Sequence, residues 1–108
     1  MILSTTETVP GQTISRNLGV VRGNVIRAKH IGTDIVASLR NLVGGEVSEY
    51  TKLMAEAREQ AFDRMVRQAE GMNADAIVGV RFTTSMVMAG AAELLVYGTA
   101  VVLESDAG

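Results

Sequence analysis

The sequence predicts an α+β domain in which a small four-stranded sheet carries one short and one long helix. Three observations predict it. A helical pattern runs without Gly or Pro from Glu46 to Glu70. Runs rich in β-formers flank it, Thr13–Ala28 on one side and Ala76–Met88 and Glu93–Glu104 on the other. Gly, Pro and Asn punctuate the joints between these runs.

Taken in order, Ile2 to Thr5 reads as a short edge strand, and Thr8-Val9-Pro10-Gly11-Gln12 as a turn. Between Thr13 and Ala28, Ile14, Leu18 and Val20 share one parity, while Val21 and Val25 share the other. The change falls among Gly19 and Gly23, so a bulge or bend is expected there, in one bent strand or a hairpin. Lys29-His30-Ile31-Gly32 connects to a short helix. Thr33 or Asp34 caps it, and Ile35, Leu39, Leu42 and Val43 form its apolar stripe. Gly44-Gly45 ends it.

The long helix follows to about Met72, with Ser48 as a candidate N-cap and Gly71 followed by Asn73 as its stop. At about 100° per residue, Tyr50, Leu53, Met54, Ala57, Ala61, Met65 and Met72 share a face. Thr51, Ala55, Phe62, Val66 and Ala69 widen that face beyond what one contact needs, and Arg58 lies inside the widened arc. In the next strand, Val78, Val80 and Phe82 are expected on one side and Ile77, Gly79 and Arg81 on the other. Ala89-Gly90-Ala91 fits a tight hairpin. The last strand is apolar on both faces: Leu94, Val96, Ala100 and Val102 against Leu95, Tyr97, Val101 and Leu103. Such a strand needs cover on both sides. Two short helices cannot provide it, so a second copy of the chain is expected on the open face. The domain spans residues 1–104, and residues 105–108 form a tail.

Composition excludes several functions. The chain has 108 residues, is 47% hydrophobic and carries net charge −2, with 10 basic against 12 acidic residues. That suits one folded domain and leaves no clustered positive face for nucleic acid. Aromatic residues are 4%, too few for a base-stacking platform. No stretch is long and apolar enough to span a membrane, and no signal-peptide pattern opens the chain, so a cytoplasmic location is expected. Cys is absent, which removes disulfides, thiolate metal sites and Cys nucleophiles.

His30 is the sole imidazole, in a connector, so no multi-His site can form within one subunit. The methionines read as core filler rather than soft-metal ligands. Glu56, Glu59 and Asp63 fall on the solvated helix face, where nothing separates their pKa values for acid–base work. Gly44-Gly45-Glu46 lacks the Lys-Ser/Thr pair of a phosphate loop. No Ser-His-Asp pattern is present. Four polar residues lie in or beside apolar stretches, where polarity is costly unless used. These are Asn41, Glu46, Arg58 and Arg81, the candidate ligand-binding set. No catalytic residue is assigned.

The chain resembles the YbjQ-like family of small bacterial and archaeal proteins across roughly Leu3 to Glu104. The matching stretches are Gly19-Val20-Val21-Arg22-Gly23, then Asp34 with Leu39-Arg40-Asn41-Leu42-Val43-Gly44-Gly45-Glu46. Tyr50, Ala57-Arg58, Ala61 and Arg64-Met65 follow on the helix. Asn73-Ala74-Asp75-Ala76-Ile77-Val78-Gly79-Val80-Arg81-Phe82 and Tyr97-Gly98-Thr99-Ala100-Val101 complete the match. The resemblance implies a subunit of dodecin-like outline that assembles as a ring, a pentamer, with no established reaction. It also implies a heavy-metal-binding description. The ligand count gives that description no support, because carboxylates, carbonyls and thioethers would have to serve, and carboxylates and carbonyls suit Mg²⁺, Ca²⁺ or Mn²⁺ better. The expected function is a non-enzymatic homo-oligomeric binding or scaffold module with a ligand site at subunit interfaces. The alternative is a metal-binding protein with sites repeated around the ring.

Overall fold

The computed structural model of the chain describes residues 1–28, 45–88 and 91–106. It is an α+β fold in which one long helix lies on a four-stranded mixed sheet. The elements are β1 (Ile2–Leu3), β2 (Gln12–Ala28), α1 (Gly45–Gly71), β3 (Ala76–Met88) and β4 (Ala91–Ser105). The strand order is β1-β3-β4-β2. β1 pairs parallel with β3, and the other neighbours are antiparallel. The expected short helix, the His30 connector and the hairpin tip at Ala89-Gly90 lie outside the described residues. The sheet is open, with β1 and β2 at its edges.

Helix α1 packs chiefly on β2 and β4. Its contact row is Ala57, Ala61, Met65 and Ala69, all fully buried and spaced four apart, so they stack along one line of the helix. Ala69, expected at the margin of the stripe, belongs to this central line. Small side chains here let the helix backbone come down onto β2, where Gly23 receives it. A Cβ on Gly23 would stand 1.9 Å from the Ala61 carbonyl oxygen and 2.7 Å from the Met65 nitrogen. Around this contact Val21, Val25, Ile77, Val80, Leu94, Val96 and Ala100 close the core. Met54, Phe62, Val66 and Met72 are half-buried at its border.

One expected helix signal resolves differently. The helix starts at Gly45, so Ser48 lies within its first turns rather than capping it. At the other end the helix stops at Gly71 as expected, and the left-handed residue beyond it is Asn73, with φ 60°. The Ala74 N–H donates to the Ala69 carbonyl at 3.1 Å, and the Asn73 N–H to the Glu70 carbonyl at 3.0 Å. These two bonds form a Schellman cap, in which Asn tolerates the positive φ that its short polar side chain permits.

Strand β2 is one long strand. Its irregularities fall between Ile14 and Arg16 and between Asn17 and Gly19, closing at Gly19 with φ 108°. The first lies before the expected position and the second reaches Gly19, one of the two glycines expected to carry it; together they send Ile14 and Leu18 to opposite faces of the sheet despite their equal parity. Gly23 sits in regular pairing opposite Val96, so its role is the helix approach and not a bend.

Part of the outer edge of β2 is capped by the helix. The Arg22 N–H donates to Gln68 Oε1 at 2.8 Å, Arg64 Nη1 donates to the Asn24 carbonyl at 2.6 Å, and Arg27 Nη2 donates to Gln60 Oε1. Gln60, Arg64 and Gln68 form a polar row four residues apart, beside the alanine row. An exposed strand edge is a template for unwanted pairing, and this row occupies part of it.

Two glycines test this packing in opposite directions. Gly23→Ala is expected to destabilise the fold by about 3 kcal/mol, the upper range for overpacking. Gly71→Ala, where an added Cβ meets nothing within 4 Å, is expected to gain about 0.5 kcal/mol from reduced chain entropy. Urea denaturation of both variants checks the pair. Equal stabilities would show that the helix does not rest on Gly23.

Candidate functional site

The site begins with an inserted residue in β3. Val78 pairs with Thr99, but the next pair is Arg81 with Tyr97, so Gly79 and Val80 share the space opposite Gly98. Gly79 takes φ +62°, a left-handed conformation open to glycine at little strain. A Cβ on Gly98 would come within 2.6 Å of Ile77 Cγ2 and 3.1 Å of the Val78 carbonyl, so the facing strand must also be bare. The insertion reverses side-chain alternation. Ile77 and Val80 both enter the helix-side core, and Phe82 meets Phe62 of the helix edge-to-face, with ring centroids 4.7 Å apart. Val78 and Arg81 turn to the opposite face. This corrects the expected grouping of Val78 with Val80 and Phe82, and of Arg81 with Ile77. Strict alternation holds only through an unbroken ladder.

The N-terminal segment folds over this bulge. The Ser4 N–H donates to the Ile77 carbonyl at 2.9 Å, the Val80 N–H to the Ser4 carbonyl at 3.0 Å, and the Gly79 N–H to the Thr6 carbonyl at 2.9 Å. Arg81 Nη1 latches it, donating to the Thr5 carbonyl at 2.7 Å and to the Val80 carbonyl at 2.9 Å. Between this segment and β2 lies a groove of about 400 Å³. Ile14, Val78 and Val101 supply apolar walls; Glu7, Asn17, Thr99 and Arg81 supply polar groups. Asn17 Oδ1 accepts from the Gly19 N–H at 2.8 Å, which leaves its amide donors for the groove. Among the described residues, no ion pair joins Glu7 to Arg81, and Arg81 Nε and Nη2 donate to no protein atom.

The candidate residues do not gather at one place. Arg81 lines this groove. Arg58 is exposed on the helix, in a surface depression with Lys52, Glu56 and Glu59. Glu46 lies in the first turn of α1, and Asn41 falls outside the described residues. Sequence periodicity missed Glu7, Asn17 and Thr99. The signal that could have found them was the pair of glycines, Gly79 and Gly98, in facing strands.

A family model described as "Putative heavy-metal-binding" matches residues 1–104. The chain belongs to the YbjQ family. Its relatives include the UPF0145 protein of Methanosarcina acetivorans, 60% identical over 101 residues that cover 94% of this chain and 95% of that one. The UPF0145 protein of Hahella chejuensis is 54% identical, covering 96% and 100%. The fold is also that of a solved protein of unknown function from Pediococcus pentosaceus, of the DUF74 family. It superposes with a TM-score of 0.66 at 18% identity, over 96% of this chain and 98% of the other.

The donor set of this YbjQ-family chain does not fit a soft heavy metal. It has no Cys, and among the described residues no group of three or more His, Asp or Glu converges. Several carboxylates are already engaged. Asp75 accepts from the Leu103 N–H at 2.9 Å, Glu93 from Asn24 Nδ2 at 3.3 Å, and Asp106 from the Thr13 hydroxyl. Met65 is fully buried, and Met54 and Met72 pack beside it as core. Dialysis against Cd²⁺ or, anaerobically, Cu⁺, then gel filtration and elemental analysis, is expected to leave far less than one ion per chain. Stoichiometric retention would overturn this assignment.

Proposed function

We propose that the chain is the subunit of a homo-oligomeric binding module, non-enzymatic, with its ligand site beside the subunit interface. The observation that carries this reading is the sheet face turned away from α1. The pairing register sets out four rows across β2, β4 and β3 on that face. They are Val20–Thr99–Val78, Arg22–Tyr97–Arg81, Asn24–Leu95–Thr83 and Ile26–Glu93–Ser85. At the lower end, Val9, Ile14 and Leu103 cover Ala76, Val78 and Val101 in a small second core. Higher up, among the described residues, no layer covers the face. Val20 is 69% exposed, Ile26 58% and Tyr97 40%.

The occupant we assign is a second copy. The radius of gyration is 17.7 Å, against about 13 Å for a compact domain of ~100 residues. An elongated chain with a central strand apolar on both faces buries too little alone and gains most by stacking with its like. The groove at Arg81 adjoins the uncovered rows, so a neighbouring subunit would narrow its open side. The family resemblance supplies five as the copy number to test. Among the described residues no helix is long and apolar enough to cross a membrane.

Native mass spectrometry of untagged protein is expected to show a single closed oligomer at micromolar concentration. A double variant, Val20→Glu with Tyr97→Glu, is expected to shift it to smaller species while the circular dichroism spectrum stays unchanged, because desolvating unpaired charges at an apolar interface costs several kcal/mol. A monomeric wild-type protein would overturn the reading.

A further inference from the structure

We infer that the groove beside Arg81 binds a small zwitterion of the α-amino-acid type with an aliphatic side chain. The inference deepens the binding half of the function proposed above, and it stands on the geometry of a single chain. Among the described residues, Arg81 commits only Nη1 to protein, in bonds to the Thr5 and Val80 carbonyls. Those bonds fix the plane of the guanidinium. They leave free the edge formed by Nε and Nη2, the fork that meets a carboxylate through two parallel hydrogen bonds. The Thr99 hydroxyl and the Asn17 amide line the same groove and add donors suited to a carboxylate.

Glu7 makes the site two-signed. It lines the groove with Arg81, and among the described residues the two are not paired with each other. Opposite charges that share a cleft without meeting fit a ligand carrying the complementary charges: a carboxylate for Arg81 and an ammonium for Glu7. Val78, Val101 and Ile14 offer apolar surface for its body, and the groove volume of about 400 Å³ suits a small molecule. Nucleotides and other polyanions are disfavoured, because Glu7 would face their charge. The bulge at Gly79 is what makes the arrangement possible, since in unbroken alternation Arg81 would point into the helix-side core.

Leucine, 4-methylpentanoate and 3-methylbutylamine separate the contributions: zwitterion, acid alone and amine alone. Titration by isothermal calorimetry or ligand-observed NMR is expected to show saturable leucine binding, with each single-charge probe at least about tenfold weaker, equivalent to ~1.4 kcal/mol. Arg81→Lys keeps the charge but loses the fork, and is expected to weaken leucine about tenfold. Glu7→Gln, at an exposed residue with no partner among the described residues, is expected to weaken leucine while leaving 4-methylpentanoate unchanged. A mere latch role for Arg81 would lower the melting temperature in Arg81→Lys without that selectivity.

No saturable leucine binding, equal binding of all probes, tighter binding of 4-methylpentanoate, or leucine affinity unchanged in both variants would each overturn the inference. Native mass spectra of the same samples keep the two proposals apart. An oligomer that ignores leucine sinks this inference alone, and a monomer that binds it sinks the assembly alone.

Discussion

The structure depends on one close approach, that of the α1 backbone at Ala61 to Gly23 of β2. A side chain at Gly23 would lift the helix and open the core between the helix and β4. Because the contact is backbone to backbone, it also brings the flanking row of Gln60, Arg64 and Gln68 within reach of the strand's outer edge. Hydrogen bonds from an exposed side-chain row contribute modestly to stability, about 1 kcal/mol each at most. Their larger consequence is selective. They blunt part of one edge of the sheet, so β2 is a poorer template for pairing than its length suggests.

The elements were legible in the sequence, and the faces were legible only in part. Helix and strand existence followed from uninterrupted periodicity, and α1, β3 and β4 lie within a few residues of their expected limits. The two-sided character of β4 was equally readable, because apolar residues occupy both parities of that run. Glycines were the harder signal. Gly23 reads in sequence as a bend and proves to be a landing place for a helix. Gly79 reads as an ordinary member of an alternating run and proves to be the inserted residue. Periodicity records where apolar residues recur; it does not record a backbone conformation that only one position adopts, nor a partner that arrives from elsewhere in the chain.

The site was less legible for the same reason. Arg81 could be singled out as a polar residue in an apolar run, but its side of the sheet depended on the bulge. Glu7 and Asn17 lie in an N-terminal segment and an irregular stretch of β2, both without periodicity of their own. They join Arg81 only through pairings far apart in sequence, such as the Gly79 N–H with the Thr6 carbonyl. Arg58 shows the opposite failure. Its place on a helical wheel, between Met65 and Ala69, suggested partial burial, yet Arg58 itself is exposed in a depression with Lys52, Glu56 and Glu59.

The bulge is the feature on which the proposed assembly and the proposed binding both depend. Without the inserted residue, Val78 and Arg81 would stand on opposite faces, and the groove would lose its guanidinium. With it, the outer face divides into a lower part that Val9 and Ile14 already cover and an upper part that stays bare. Arg81 stands at that boundary, in a row with Tyr97 and Arg22. A second copy on the bare rows would place apolar surface beside the guanidinium and lower the local dielectric. A charge-assisted bond to a ligand gains strength as water is excluded. If the proposed assembly forms, a single chain would hold the geometry for the proposed recognition and the oligomer would supply the dryness that tightens it, so affinity would rise with assembly even though no residue of the ligand fork comes from the neighbour.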